Sequence, residues 1–246
     1  MRRNSGFLLA CLFTLLAFPA AADLVNGNFE TGNLTGWTTT VNGSANSVQV
    51  TSGATVTDAG TIQPSPTGDY FVFTSQSGPG SSFLTQDFVV QPGTNKIFFD
   101  LSIINAATDF YVPSPLSFDF NGAANQQARF DILVPGAAID TVNPADIIVT
   151  GYQTQPGDPL TQNWASYEVD ATAALAAYEG QTVTFRFVQV DNQSYFNLAI
   201  DNVNVGLAPP GGATPTQVPT LSQWSLYSLG LLMGILGVWR LRRQYG

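Results

Sequence analysis

The sequence contains no histidine, and its single cysteine, Cys11, lies in an apolar run close to the N-terminus. The first absence excludes a Ser-His-Asp triad and a His-ligated zinc or iron centre. Once a leader containing Cys11 is removed, the second leaves no disulfide, thiolate nucleophile or sulfur metal site. The body must therefore be held by its core alone, and a segment of roughly 180 residues is long enough to bury one. Charge is scarce as well, at 10% of residues against a typical value of about 25%. Cations are scarcest. Of eight Lys and Arg residues, Arg2 and Arg3 open the chain and Arg240, Arg242 and Arg243 sit near its end. Only Lys96, Arg129 and Arg186 remain, facing all 17 acids, which fall between Asp23 and Asp201. With no basic patch in the body, nucleic acid is excluded as a partner. Only Glu30, Glu168 and Glu179 among the acids are Glu. Asp is a turn former, and it is also a hard oxygen ligand suited to Ca²⁺.

What is present begins with a targeting segment. Arg2 and Arg3 form a basic start, Phe7 to Phe18 is an apolar stretch of 12 residues, and Ala20-Ala21-Ala22 has the small-residue form of a cleavage site. This predicts a secretory signal peptide over residues 1–22, cut before Asp23. The apolar stretch falls short of the ~20 residues of a permanent span. Asn4-Ser5 argues against a twin-arginine signal. The apolar run continues for seven residues past Cys11, which argues against lipidation there.

From Asp23 onward, period-2 patterns alternate with Gly, Pro, Asn and Asp. Strands are expected at 47–51, 69–74, 83–90, 96–104, 116–120, 128–134, 146–149, 165–170, 182–190 and 196–205. In "TVTFRFVQV" Val183, Phe185 and Phe187 share one face and Thr184, Arg186 and Val188 the other, which predicts a half-buried strand. In "NLAIDNVNV" the alternation breaks near Asp201, which predicts a bulge or a liganded position. The one helical stretch, Ala171 to Tyr178, stops at Gly180. Some ten short strands between turn signals imply an all-β jelly-roll β-sandwich over residues 23–205. No repeat of solenoid or propeller length is visible.

Residues 206–217, "GLAPPGGATPTQ", carry no strand or helix pattern and are expected to be a Pro/Gly/Thr linker. Trp224 to Trp239 is an uncharged stretch of 16 residues, a predicted membrane helix with a Trp at each edge. Arg240, Arg242 and Arg243 follow at once. The positive-inside rule places them in the cytoplasm, so both ends of the chain predict one topology, with the body exported and the tip inside.

Two stretches carry resemblances. Val218-Pro219-Thr220-Leu221-Ser222-Gln223-Trp224, followed by the apolar stretch and "RLRR", resembles the IPTL-CTERM sorting signal of Gram-negative bacteria. It departs from that pattern at Val218, where Ile is usual, and at Gln223, where Glu is common. The resemblance covers residues 218–246. It implies handling by an exosortase-type membrane enzyme and delivery to the cell envelope, surface or extracellular matrix. In the body, "NGNFETGNLTGW" (Asn26 to Trp37), "VDATAALAAYEGQTVTFRF" (Val169 to Phe187) and "AIDNVNV" (Ala199 to Val205) resemble segments of galactose-binding-like jelly-roll domains, which include carbohydrate-binding modules. That resemblance implies that the first and last strands lie side by side. It also implies a structural Ca²⁺ held by Asn28, Glu30 and Asp201.

Trp37 is expected in the core, because an aromatic of its size buries a large area. Phe110, Tyr111, Tyr152, Trp164 and Tyr195 are aromatics at loops or strand edges, available either for packing or for stacking on a sugar. "SGPGSS" (Ser77 to Ser82) lacks the Gly-Lys-Ser/Thr end of a P-loop. A glycosidase needs only two carboxylates, but Glu168 falls in a strand pattern and Glu179 in a turn. The expectation is a non-enzymatic, surface-sorted protein with a structural or adhesive role. A carbohydrate-binding module, with polysaccharide as partner, is the alternative, and a glycoside hydrolase stands behind it.

Overall fold

The computed structural model describes residues 24–207 apart from 44, 45 and 77. The signal peptide, most of the linker, the sorting motif, the predicted membrane helix and the Arg tip lie outside the described residues. Two five-stranded antiparallel sheets face one another. The first, sheet A, has the order β1 (Thr38–Gly43), β6 (Gly80–Val89), β11 (Thr182–Asp191), β8 (Gln127–Leu133) and β9 (Ile147–Gln153). The second, sheet B, has the order β10 (Thr161–Asp170), β7 (Thr94–Asn105), β12 (Phe196–Leu207), β5 (Tyr70–Gln76) and β2 (Asn46–Ser52). A small hairpin, β3 (Thr55–Thr57) with β4 (Gly60–Ile62), forms a separate two-stranded sheet whose Ile62 packs against Phe71, Phe73 and Ala199 of sheet B. The β-sandwich expected from the alternating pattern is therefore the fold.

Period-2 placement builds the core directly. From sheet A, Leu84, Phe88, Phe130, Ile132, Val183, Phe185 and Phe187 point inward; from sheet B, Ile97, Phe99, Leu101, Ile103, Leu198 and Ile200 meet them. Aromatic rings tie the layers together, with Phe99 and Phe130 4.7 Å apart between centroids and Phe99 and Phe187 5.5 Å apart. Trp37 joins this core as expected, edge-on to Phe185 at 5.9 Å, and its indole N–H donates to Asn26 O at 3.0 Å. The helical stretch forms as one short α-turn, α1 (Thr172–Leu175), continued by a 3-10 turn at Ala176–Tyr178 and closed by Gly180 at φ 77°.

Four expectations are corrected. Residues 116–120 are not a strand; they cross the outer face of sheet A as a loop. β11 is buried on both faces rather than one, because that loop and residues 134–142 cover it. β12 runs two residues past Val205, into the stretch expected to be linker. The first and last strands are not neighbours, since β1 belongs to sheet A and β12 to sheet B. The segment that lies beside β12 is the turn-rich opening before β1, where Val203 N donates to Gly27 O at 2.8 Å. A Cβ on Gly27 would sit 2.0 Å from Val203 O, so the close approach needs glycine. The break in alternation near Asp201 is a β-bulge between Asp201 and Asn204, with Asn202 at φ 53°. The extra residue returns Val203 and Val205 to the inner face.

Among the described residues five ionisable side chains are buried: Asp100, Asp131, Arg186, Asp191 and Asp201. On the outer face of sheet A, Arg186 and Asp131 pair with both side chains fully buried. Arg129 Nε donates to both Asp131 oxygens at 2.8 Å. Asp191, at the end of β11, is 1% exposed, and burial pushes its carboxyl up to about 8 although the Gly80 N–H opposes the shift.

Removing one member of a buried pair leaves its partner desolvated and uncompensated, at a cost of about 3–5 kcal/mol. Arg186→Ala is expected to lower the urea-unfolding free energy by that order, an outcome read from equilibrium denaturation. Asp191 has a higher carboxyl pKa folded than the 3.8 of its ordinary state. Its contribution to stability is thus complete below about pH 4 and is lost as pH rises through about 8. Asp201, raised to about 6, has finished titrating in the upper half of that window. Between pH 6 and 8 the unfolding free energy is expected to fall by up to about 1.4 kcal/mol per unit. Asp191→Asn is expected to flatten that slope, as measured by thermal melts across the range.

Candidate functional site

The outer face of sheet A is where sequence and tertiary packing combine into a recess. β8 ends at Leu133, and the chain then folds back over the sheet before the 3-10 turn Pro144–Asp146 starts β9. Asn143 caps that turn by accepting from Ala145 N. Arg186, pointing outward from the centre of β11, holds this strap in place. Its Nη1 donates to Ile139 O at 2.7 Å and Thr141 O at 2.8 Å. Its guanidinium carbon lies 5.0 Å from the centroid of the Phe118 ring, in cation–π geometry. Burial pulls the pKa of Arg186 down, and the adjacent Asp131 opposes that shift. Beneath the strap, Phe83, Val188 and Val190 pack against Phe118, Phe120, Ile139 and Val142.

The strap divides the face into two recesses. The smaller, about 330 Å³, opens beside Asn42 and Ser81 and is walled by Phe118, Asp119, Phe120, Asp140 and Val142. The larger, about 720 Å³, is floored by Thr38 of β1, Thr85 and Asp87 of β6, and Thr182 and Thr184 of β11. Its walls are Val25 with Gly36 on one side and Pro135 to Ala137 with Ile139 on the other. Gln86 is used up in holding the wall: its side chain accepts from Val25 N at 2.5 Å and donates to Val25 O at 2.9 Å. Thr184 Oγ1 donates to Asp87 Oδ1 at 2.7 Å. This larger groove therefore presents hydroxyls and one exposed carboxylate, with apolar edges and no aromatic ring. A volume of that size falls within the range of ligand clefts, ~300–1,000 Å³.

The aromatics singled out from sequence are mostly taken up by packing. Phe110 is buried against Phe196 at 5.7 Å. Tyr152 stands edge-on to Tyr167 at 5.0 Å, and burial raises its hydroxyl pKa. Trp164 packs on Phe71 at 5.2 Å and donates to Gln63 O at 2.8 Å. Tyr111 bonds Thr108 through its hydroxyl at 3.0 Å. Tyr195 is exposed, on the rim of a small cavity of about 220 Å³ at the turn between β11 and β12. None of these residues lines the large groove.

The residues expected to hold Ca²⁺ have protein partners. Glu30 Oε1 accepts from Asp69 N and Tyr70 N, both at 2.9 Å. Asn28 Oδ1 accepts from Glu30 N at 3.4 Å. Asp201 is fully buried; Ser65 Oγ and Thr67 Oγ1 donate to its Oδ2, and Asn202 N donates to its Oδ1 at 2.7 Å. Burial raises its carboxyl to about 6, and these bonds pull the other way. The loop 65–70 thus caps Asp201 with hydroxyls and Glu30 with amides. Among the described residues no group of three or more His, Cys, Asp or Glu side chains is clustered to hold a metal.

Sequence reasoning missed the Thr-and-Asp floor of the groove. The signal was present: in "FLTQDF" the polar residues Thr85 and Asp87 fall on the face opposite Leu84 and Phe88. An outward-facing threonine on a strand is ordinarily a solvated surface position, so only the strap and the opening segment turn the row into a recess.

No characterised protein matches the chain in sequence. Among solved structures, the chain is similar to TmCBM61 in complex with β-1,4-galactotriose, at 15% identity and a TM-score of 0.46, over 76% of this chain and 99% of that one. It is similar to the K1 cleaved adhesin domain of Lys-gingipain from Porphyromonas gingivalis W83, at 14% identity and a TM-score of 0.41, over 74% and 96%. It is also similar to a family 11 carbohydrate-binding module from Clostridium thermocellum, bound to a mixed-linked β-1,3-1,4 tetrasaccharide, at 13% identity and a TM-score of 0.38, over 76% and 98%. Residues 216–243 match the IPTL-CTERM motif, so the chain carries that sorting signal at the end of a β-sandwich body.

Proposed function

We propose that this is an exported, envelope-sorted, non-enzymatic glycan-binding protein, whose body grips a carbohydrate in the larger groove of sheet A. Attachment of the cell to a glycan, or of a glycan to the cell, is then its adhesive role. The observation that carries the reading is the groove: a recess of about 720 Å³ whose floor offers a row of threonine hydroxyls and one carboxylate. Such a surface can exchange hydrogen bonds with the ring hydroxyls of a sugar, while Val25, Pro135 and Ile139 supply apolar edges for its C–H faces. The non-enzymatic part of this proposal is supported by the same floor. Glycoside hydrolysis uses two carboxylates some 5–9.5 Å apart, and Asp87 is the single carboxylate lining the groove. Sorting rests on the IPTL-CTERM match at residues 216–243, on the basic start and on the Arg tip. The partner implied is an exosortase-type membrane enzyme.

Two measurements test this. On a glycan array the detergent-solubilised full chain is expected to retain at least one oligosaccharide. Thr182→Trp, which fills the groove from an exposed strand end, is expected to weaken that retention at least tenfold with an unchanged melting temperature. Undiminished retention by the variant would move the site elsewhere. For the tail, mass spectrometry of the envelope-bound protein is expected to show loss of residues C-terminal to the motif in cells that have the sorting enzyme and not in cells without it. A tail intact through Gly246 in both would reduce it to an ordinary anchor.

A further inference from the structure

The groove also carries information about the charge of what it holds. The described residues include only three cations, and each is committed to an acid within the fold. Lys96 pairs with Glu168. Arg129 lies on Asp131 with its guanidinium also donating to Thr150 and Gln153. Arg186, the cation closest to the groove, is fully buried under the strap and paired with Asp131. Asp87 is therefore the one charged side chain that lines the groove. It is exposed, and Thr184 is the only side-chain donor that reaches it among the described residues. A hydroxyl bond stabilises the carboxylate without neutralising it. Beyond the groove, the surface adds Asp140 beside the strap and further carboxylates around both sheets, which outnumber the three described cations.

The lining also lacks the other common means of holding a neutral sugar. No aromatic ring stands in the groove on which a pyranose could stack. Hydrogen bonds in a water-filled, open recess yield little net affinity, since each replaces a bond to water. The interaction left with appreciable strength is that of Asp87 with a positive charge, because a charge-assisted hydrogen bond is roughly twice as strong as a neutral one. An acidic glycan meets the opposite situation, a carboxylate facing a carboxylate with no cation between them.

We propose that the groove selects a cationic, amine-bearing glycan, such as a de-N-acetylated hexosamine polymer, through a charge-assisted contact between a sugar ammonium and Asp87. The inference rests on the glycan-binding reading of the same groove and adds the chemical class of the ligand. Acidic glycans are rejected by repulsion. N-acetylated ones lose the charged contact and keep only the hydroxyl bonds of the threonine floor. Binding is correspondingly weakened by salt, as for any contact between exposed charges.

The test compares three hexasaccharides on the detergent-solubilised full chain by titration calorimetry, at a mildly acidic pH where a sugar amine is protonated: glucosamine, N-acetylglucosamine and galacturonate. The glucosamine hexamer is expected to bind at least tenfold more tightly than its N-acetylated form, and the galacturonate hexamer to give no heat. Asp87→Asn is expected to remove the preference for the amine at an unchanged melting temperature. Asp140→Asn, an equal change of charge outside this groove, is expected to preserve it. Equal binding of the amine and acetyl forms, binding of galacturonate, or a preference that survives Asp87→Asn would each overturn the inference while leaving a glycan-binding groove standing. A preference lost equally in the Asp140 variant would assign it to general surface charge and overturn it too. If no hexamer binds, and the glycan array is also blank, the glycan reading itself fails and the inference falls with it.

Discussion

The buried ion pair between Arg186 and Asp131 is the constraint on which the rest of the outer face depends. Both side chains are removed from water, and neither could remain charged there alone. The pair is bonded from several sides: Arg129 and Thr150 donate to Asp131, and the carbonyls of Ile139 and Thr141 accept two hydrogen bonds from Arg186 Nη1, while its buried Nε has no partner among the described residues. Those carbonyls belong to the strap. Desolvation of the guanidinium is therefore tied to the chain between β8 and β9 lying across the sheet, because that segment brings the two acceptors for Nη1 while Asp131 serves Nη2. The aromatic cover from Phe118 completes the burial from the other side.

From this follows the shape of the recess. Without the strap, that face would expose Phe83, Val188 and Val190 beside its threonines and aspartates, and the larger recess would lose one of its two walls. With it, the face is partitioned into two hollows, and the larger gains a ridge at Pro135 to Ile139. The opposite wall has a separate origin. The opening segment is stapled to the body by Gln86 on Val25 and by the backbone bond between Gly27 and Val203. Two local networks, neither part of the main apolar core, thus define the groove. The electrostatic result is a cleft that holds Asp87 and no cation, since the cation next to it has been spent on folding the strap.

Much of the architecture was legible beforehand because it depends on a property repeated at every residue. Side-chain alternation in "TVTFRFVQV" placed Val183, Phe185 and Phe187 on the core face and Arg186 on the other, as the structure has it. The failed alternation at Asp201 marked the bulge. The pattern broke down where burial is decided by what lies on top. Residues 116–120 alternate like a strand, yet Phe118 and Phe120 are apolar because they cover sheet A, not because they belong to it. Residues 38–43, "TTTVNG", form β1 with hardly any apolar signal, because this edge strand is exposed along most of its length.

The sequence by itself determined the class of fold, the sorting signal and the shortage of positive charge in the body, because periodicity, a contiguous motif and composition are local or additive properties. Only the tertiary structure decided which polar residues share a recess. Thr38, Asp87 and Thr184 are far apart along the chain and individually unremarkable. Pairing of β1, β6 and β11 sets them side by side, and a strap held by a buried charge closes them into a groove. Glu30, Asn28 and Asp201 were the more conspicuous residues in sequence, and in the fold Glu30 Oε1, Asn28 Oδ1 and Asp201 Oδ2 accept from amides and hydroxyls of neighbouring turns. What a carboxylate does depends on the donors that folding brings within reach, and that is not written in the order of residues.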